Sequence, residues 1–243
     1  MATPAQRRRA ARHHQLTDDE SISPRRGPSA GRKKLITVDA IVDAAFAIVE
    51  REGYDALTMR RVAGALDTGP ASLYAHVGNK DDLDDLLIGR VCAEINIPKA
   101  NPRAWRKQII SVCAQLRDQY LRYPGISRAA LAVAPTNLEV TRVSEGMLNI
   151  VLAGGVDPQT AAWAVDTLTL YVNAFCLEVS LVGRRADEEG WTVSRDEMLR
   201  RFEALPDDFP TTKRYAAELT AGTALDRFDF TLDLMVDGLD NRG

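Results

Sequence analysis

Cysteine and histidine are scarce in this sequence, with three of each in 243 residues. Cys92, Cys113 and Cys176 are an odd number, lie far apart and form no CxxC pair. That pattern argues against a disulfide framework or a zinc site and fits a reducing compartment, with the thiols as small core residues. His13, His14 and His76 all fall in the first third of the chain. Long apolar runs are missing too: no stretch reaches the roughly 18 uncharged apolar residues of a membrane span. The Arg-rich start is not followed by the apolar run of a signal peptide, so the expectation is a cytoplasmic protein with no membrane partner. Catalytic signatures are equally absent. There is no HExxH, P-loop or GxSxG, and the Glu188-Glu189 pair sits in a polar stretch. The sequence therefore predicts no enzyme, no cofactor and no metal.

What is present is an uneven charge. The net charge is −3, yet residues 1–80 hold 13 Lys and Arg against 9 Asp and Glu, leaving 18 against 25 for the rest. A basic end joined to an acidic body predicts a polyanion-binding segment, although a solubilising tail has the same charge. Nine basic residues fall in residues 1–34 among Ser, Pro and Gly, with almost nothing apolar to bury, so this arm is expected to be disordered.

Beyond the arm, apolar residues recur at helical spacing and no run alternates with period two, which predicts an all-α fold. Thr37 caps a helix to about Glu52, with Val38, Ile41, Ala45 and Ile48 on one face and Gly53 as its stop. Thr58 caps a short second helix carrying Met59, Val62, Ala63 and Leu66. Asp67-Thr68-Gly69 breaks it, Pro70 opens a third, and Asn79 caps a fourth bearing Leu83, Leu86, Leu87 and Val91. A second set of helices begins at Trp105 and stops at Pro124-Gly125. Another lies between Pro135 and Gly154-Gly155, and Asp157-Pro158 starts a long one to Val182. Residues 184–194 are expected to be a loop, followed by helices from Arg195 to Leu205 and from about Thr223 to Leu239.

Two short helices joined by a Gly-containing turn have the layout of a helix-turn-helix, though any helical bundle can contain such a corner. The third helix is too short and polar for a core element. Its exposed side offers Ser72, Tyr74, Ala75 and His76, groups suited to phosphates and base edges, while Lys80 stands at the start of the fourth helix, near backbone N–H groups.

From Ile36 to Leu87, through LTMRRVAGAL and SLYAHVGNKDDL, the sequence resembles the tetracycline-repressor (TetR) family of bacterial regulators. The closing DRFDFTLDLMVDGLD is similar to the last helix of the tetracycline-repressor branch. The resemblance implies an N-terminal three-helix DNA-binding domain at 35–82 and a helical effector-binding and dimerisation domain at 83–243, following the arm at 1–34. It implies that Arg60 reads a base, that Pro70, Ala71 and Ser72 form the leading edge of the recognition helix, and that Tyr74, His76 and Lys80 meet phosphate. Thr58 joins this set, or is only a cap; the alternatives for the other two are that Tyr74 packs its ring on the second helix and that His76 satisfies a local carbonyl.

Asp67 stands where the family often has Gly, and Gly78 where a basic residue is common. Arg32, Lys33 and Lys34 of the arm are expected to replace the missing phosphate contact.

For the body, the resemblance implies a homodimer through residues 158–182 and 223–239, a palindromic operator, and a small-molecule effector held in an apolar cavity. Leu116, Tyr120, Met147, Trp163, Thr167 and Tyr171 are candidates for its lining, or plain core. With no histidine in this domain, a magnesium-chelated tetracycline does not fit. The expected function is a repressor; a ligand-dependent activator of the same fold, or a helical scaffold or enzyme without operator binding, are the alternatives.

Overall fold

The computed structural model describes residues 36–132, 137–189 and 194–239, with side chains throughout except at 184–189. Every regular element among the described residues is helical, so the chain is all-α. The basic arm, with Arg32, Lys33 and Lys34, lies outside the described residues.

Capping chemistry sets the first four helices: α1 (Val38–Glu52), α2 (Met59–Ala65), α3 (Pro70–Tyr74) and α4 (Lys80–Ala93). Thr37 Oγ1 accepts the Ala40 N–H at 3.1 Å and Thr58 Oγ1 the Arg61 N–H at 3.2 Å. Asn79 Oδ1 accepts the Asp82 N–H at 2.8 Å, while Asp82 Oδ2 accepts the Gly78 N–H at 3.1 Å. Each bond satisfies an end donor that the helix itself leaves orphaned. Gly53, at φ 78°, ends α1 in a conformation that suits glycine. Ile41, Ala45, Val49, Val62, Leu73, Val77, Leu83 and Leu87 are completely or almost completely buried, giving α1–α4 a common core. The expected boundary between residues 82 and 83 falls inside α4, and contacts join the chain from Ile36 onward into one compact unit.

The body follows as α5 (Trp105–Arg122), α6 (Ser127–Ala132), α7 (Leu138–Ala153), α8 (Pro158–Glu189), α9 (Arg195–Glu203), α10 (Pro210–Arg214), α11 (Ala216–Leu219) and α12 (Ala224–Asp237). The central α8 packs on α5, α6, α7 and α12. Phe228 of α12 is fully buried, stacked on Tyr171 with centroids 5.4 Å apart and tilted on Phe175 at 4.8 Å. Such aromatic pairs add to what area burial alone supplies.

Two sequence expectations change here. The loop placed at 184–194 is helical as far as Glu189, because the Arg, Ala and Glu residues after Gly183 favour helix strongly enough to carry it past one glycine. The helices α6, α10 and α11, each of six residues or fewer, were too short to show a periodic face. The Pro158–Gly183 stretch also has the length and mean hydropathy, 1.4, of a membrane span. In this fold Ala161, Leu168, Val172 and Phe175 place one of its faces in the core, and the charges of Asp166 and Glu178 interrupt the others.

Candidate nucleic-acid interface and effector cavity

On the head, the residues expected to meet DNA fall on an outer surface. Thr58, Arg60, Pro70, Ala71 and Tyr74 are exposed, and Ser72, His76 and Lys80 half-buried. In α3 only Leu73 is buried, followed by Val77 just beyond it, so this helix is anchored by two apolar side chains and presents the rest outward. The two adjacent arginines of α2 behave differently. Arg61 is held by Glu52, whose carboxyl it and Arg51 keep below the ordinary range, and by the Ala56 carbonyl at 3.5 Å. Arg60 has no ion pair or hydrogen bond among the described residues, and its five donors face outward. Thr58 uses its hydroxyl as the cap described above.

Lys80, expected to face phosphate, turns inward. Its ammonium donates to Asp84 Oδ1 at 2.5 Å and to the Tyr54 hydroxyl at 2.8 Å, and lies 4.1 Å from the Tyr54 ring centroid. Tyr54 in turn donates to Asp84 Oδ2 at 2.7 Å. Asp84 is 5% exposed, one of two buried polar or charged residues among those described. A buried carboxylate is tolerated when paired and hydrogen-bonded, and both of its oxygens are used here. Burial, reinforced by Asp84, raises the Tyr54 hydroxyl above the ordinary tyrosine range and keeps it a donor.

This network sits at a joint. The Tyr54 N–H donates to the Pro124 carbonyl at 2.8 Å, Arg128 pairs with Asp55 at 2.6 Å, and a Cβ on Gly125 would lie 3.3 Å from the Tyr54 Cβ. The end of α1 is thus tied to the turn between α5 and α6.

The body contains a cavity of about 410 Å³. Ile88 and Cys92 of α4, Leu116 and Tyr120 of α5, Val143 of α7 and Val165 of α8 supply its apolar wall. Asp85, Ser144, Asp166, Thr169 and Asn173 supply its polar groups. Burial pushes the Cys92 thiol up to about 12, as it does for Cys113 and Cys176, so all three stay protonated at neutral pH.

Of the six lining candidates, the structure brings Leu116 and Tyr120 to this cavity and not the others. Met147 is fully buried in the core, and Tyr171 packs on Phe228. Trp163, 65% exposed, and Thr167, whose hydroxyl donates to the Trp163 carbonyl at 2.7 Å, point outward. The reason is helical phase. On α8 the core takes Ala161, Leu168 and Val172, the cavity takes Val165, Thr169 and Asn173, and the third face carries Trp163 and Thr167. Treating that helix as one apolar stripe merged three faces. The polar wall residues and Asp84 escaped sequence reading because mid-helix polar side chains look solvent-facing; the i, i+3, i+7 spacing of Asp85, Ile88 and Cys92 was the available signal.

The profile described as bacterial regulatory proteins of the tetR family matches residues 41–84, and that of the tetracyclin repressor-like C-terminal domain matches residues 97–242. Over 178 residues, 73% of this chain and 74% of the relative, the sequence is 32% identical to an HTH-type transcriptional regulator of Saccharopolyspora erythraea. It is 28% identical to the HTH-type transcriptional repressor DrrR1 of Streptomyces coeruleorubidus, across 88% of this chain and 81% of that one. Among solved structures, the TetR family protein ActR of Streptomyces coelicolor in complex with actinorhodin is 34% identical. It superposes with a TM-score of 0.76 over 85% of this chain and 97% of ActR.

Proposed function

Because this chain belongs to the tetR family of bacterial regulatory proteins, we propose that it is a repressor released from a near-palindromic operator when a small molecule enters its cavity. It is a DNA-binding transcriptional regulator by family, and its relatives are bacterial regulators rather than enzymes. The observation that carries the reading is the outward face of α2 and α3, where Arg60, unpaired among the described residues, and an exposed Tyr74 stand beside Pro70, Ala71 and Ser72. Arg60 reads a guanine edge with its forked donors, α3 lies in the major groove, and Tyr74 and His76 hold phosphate. Lys80 joins them by leaving Asp84. Residues 36 to about 82 act as the reading head and the remainder as the sensing body, working in the cytoplasm where the operator is.

Two copies pair through α8 and α12, whose outer faces expose Trp163 at 65%, Phe230 at 68% and Leu234 at 62%. Apolar side chains grouped this way on a single chain mark a partner surface. Pairing sets two recognition helices about one DNA turn, roughly 34–36 Å, apart. Relief follows from α4, which carries Lys80 and Asp84 at one end and Asp85, Ile88 and Cys92 on the cavity wall. A ligand that displaces the wall moves the helix that positions the head, shifting the population between two head spacings. That ActR is crystallised with actinorhodin supports a small-molecule effector for this fold.

Selection of bound sequences from a random DNA pool with the full chain tests the reading. A two-fold symmetric site is expected, and a pool in which no palindrome is enriched would sink it.

A further inference from the structure

The polar groups of the cavity differ in how much hydrogen bonding they have left to offer. Tyr120 of α5 is 5% exposed and lines the cavity, and its hydroxyl makes no hydrogen bond among the described residues. Unlike the Ser127 hydroxyl, which is sealed off, it stays open to a small molecule in the cavity space. Burial holds the phenol above the ordinary tyrosine range, which keeps it a neutral donor. A buried polar group left without a partner is costly, and a ligand acceptor placed there recovers that cost.

Two further wall residues are uncharged and unspent in the same sense. The Ser144 hydroxyl of α7 and the Asn173 amide of α8 belong to half-buried residues and make no hydrogen bond among the described residues. Thr169, by contrast, already donates to the Val165 and Asp166 carbonyls, both at 2.9 Å. Free buried charge is missing from the wall: no Lys, Arg or His lines it, Asp85 is already engaged, and Asp166 is open to solvent. An ion entering the cavity leaves water without gaining an unengaged, buried opposite charge. Three helices thus bring three neutral hydrogen-bonding groups to one apolar space.

We propose that Tyr120 sets the chemistry of the effector: an uncharged, largely apolar molecule whose carbonyl oxygen accepts the Tyr120 hydroxyl, with Ser144 and Asn173 left for its further oxygens. The proposal rests on the cavity being the effector site. A hydrocarbon of the same shape fills the apolar wall but leaves the phenol unpaired, and an ion adds a desolvation cost that nothing on the wall offsets. Tyr120 is therefore a specificity-determining residue, because a site built to bond an oxygen rejects the analogue that lacks it.

Four radiolabelled probes on one skeleton test it by equilibrium dialysis against the full-length protein: benzophenone, the carbonyl-free diphenylmethane, para-benzoylbenzoate and para-benzoylbenzylammonium. Comparing the ratio of benzophenone to diphenylmethane affinity between wild type and Tyr120→Phe cancels the different hydration of the two probes. That ratio should fall by about threefold to tenfold in the variant. Both ions should bind about tenfold more weakly than the neutral ketone, or worse. The carbonyl stretch of bound, isotope-labelled benzophenone should lie lower in wild type than in Tyr120→Phe, a shift that lost packing alone does not produce. Irradiated benzophenone inserts into neighbouring C–H bonds, so peptide mapping locates it, with the cavity-lining residues of α5, α7 and α8 as the expected sites. Cross-links there with an unchanged affinity ratio or an unchanged stretch overturn the role of Tyr120 while the effector cavity stands. An ion that binds as tightly as the ketone overturns the uncharged effector, again without touching the cavity. Cross-links confined to other surfaces, or no binding of benzophenone to the wild-type protein, remove both.

Discussion

The head and the body of this molecule are built by different kinds of information. In the head, α1, α2 and α4 begin at a residue whose side chain closes the helix end, and α3 begins at Pro70, so short-range chemistry sets the positions of exposed Arg60 and Tyr74. In the body, what a residue does depends on which of three neighbours its helix face meets, as the split of α8 into core, cavity and outer faces shows. A site made of positions along a short motif survives translation into sequence; a cavity made of faces does not. The two regions also store their polar groups differently. The head buries a complete network, Tyr54, Lys80 and Asp84, whereas in the body the buried Tyr120 hydroxyl has no hydrogen-bond partner among the described residues.

Alkaline unfolding separates them most strongly. Cys92, Cys113 and Cys176 each lie near 12 in the folded chain against an ordinary value of 9.0, and Tyr54 and Tyr120 are raised as well. A folded-state value above the unfolded one favours the native state fully below pH 9 and loses that contribution as pH climbs towards 12. Stability should therefore fall steeply over that window. Because Cys113 and Cys176 lie in the body, on α5 and α8, Cys113→Ala and Cys176→Ala should flatten the fall, read by circular dichroism. An unchanged profile would show that burial of these thiols does not govern it.

Core truncations ask whether the two regions melt as one. Phe228→Ala should cost about 3–5 kcal/mol and Leu73→Ala about 2–5 kcal/mol, since both side chains are fully buried. As contacts from Ile36 onward form one unit, each should lower a single calorimetric transition. Two separated transitions, each responding to one substitution, would instead make head and body independent.

Legibility follows the same division. Thr37, Thr58, Pro70 and Asn79 are caps and starts that act within three residues, and the four head helices begin where those residues place them. The outward placement of Tyr74 was readable because α3 is too short to hide more than one side, and that of Arg60 because Met59, Val62 and Ala63 take the buried face of α2. The inward turn of Lys80 was not readable for want of a long-range fact: Tyr54 lies 26 residues earlier, and nothing local reveals that it and Asp84 enclose the ammonium. The outward placement of Trp163 and Thr167 was hidden for a similar reason, since the apolar character of a helix does not say which neighbour owns each face.

At the interface, Arg60→Ala should cost about 1–3 kcal/mol for the preferred operator and relax preference at one base position, measured by competition among operator variants. Uniform weakening across all variants would assign Arg60 to phosphate. Asp84→Asn addresses Lys80. With the carboxylate gone, the ammonium is released for phosphate, so the salt dependence of binding should steepen by about one contact, and Lys80→Ala should remove that gain in the double variant. An unchanged salt slope would make the network purely structural, and the loss of a buried charged partner would then appear only as a lower melting temperature.

The smallest effect concerns the turn between α2 and α3. Asp67 holds φ 51°, the one positive value among the described non-glycine residues. Its Cβ crowds the following carbonyl in that left-handed conformation, which costs about 1–2 kcal/mol for an ordinary residue and less for Asp. Asp67→Gly relieves the crowding but adds roughly 0.5–1 kcal/mol of unfolded-chain freedom to be lost on folding. The two nearly cancel, leaving a gain of about 0.5 kcal/mol. The Thr68 N–H should keep its 3.0 Å bond to the Ala63 carbonyl, so the angle between α2 and α3 and the preferred operator should both persist. A shift in operator preference with Asp67→Gly would mean that this turn, and not only the side chains of α2 and α3, sets how the head meets DNA.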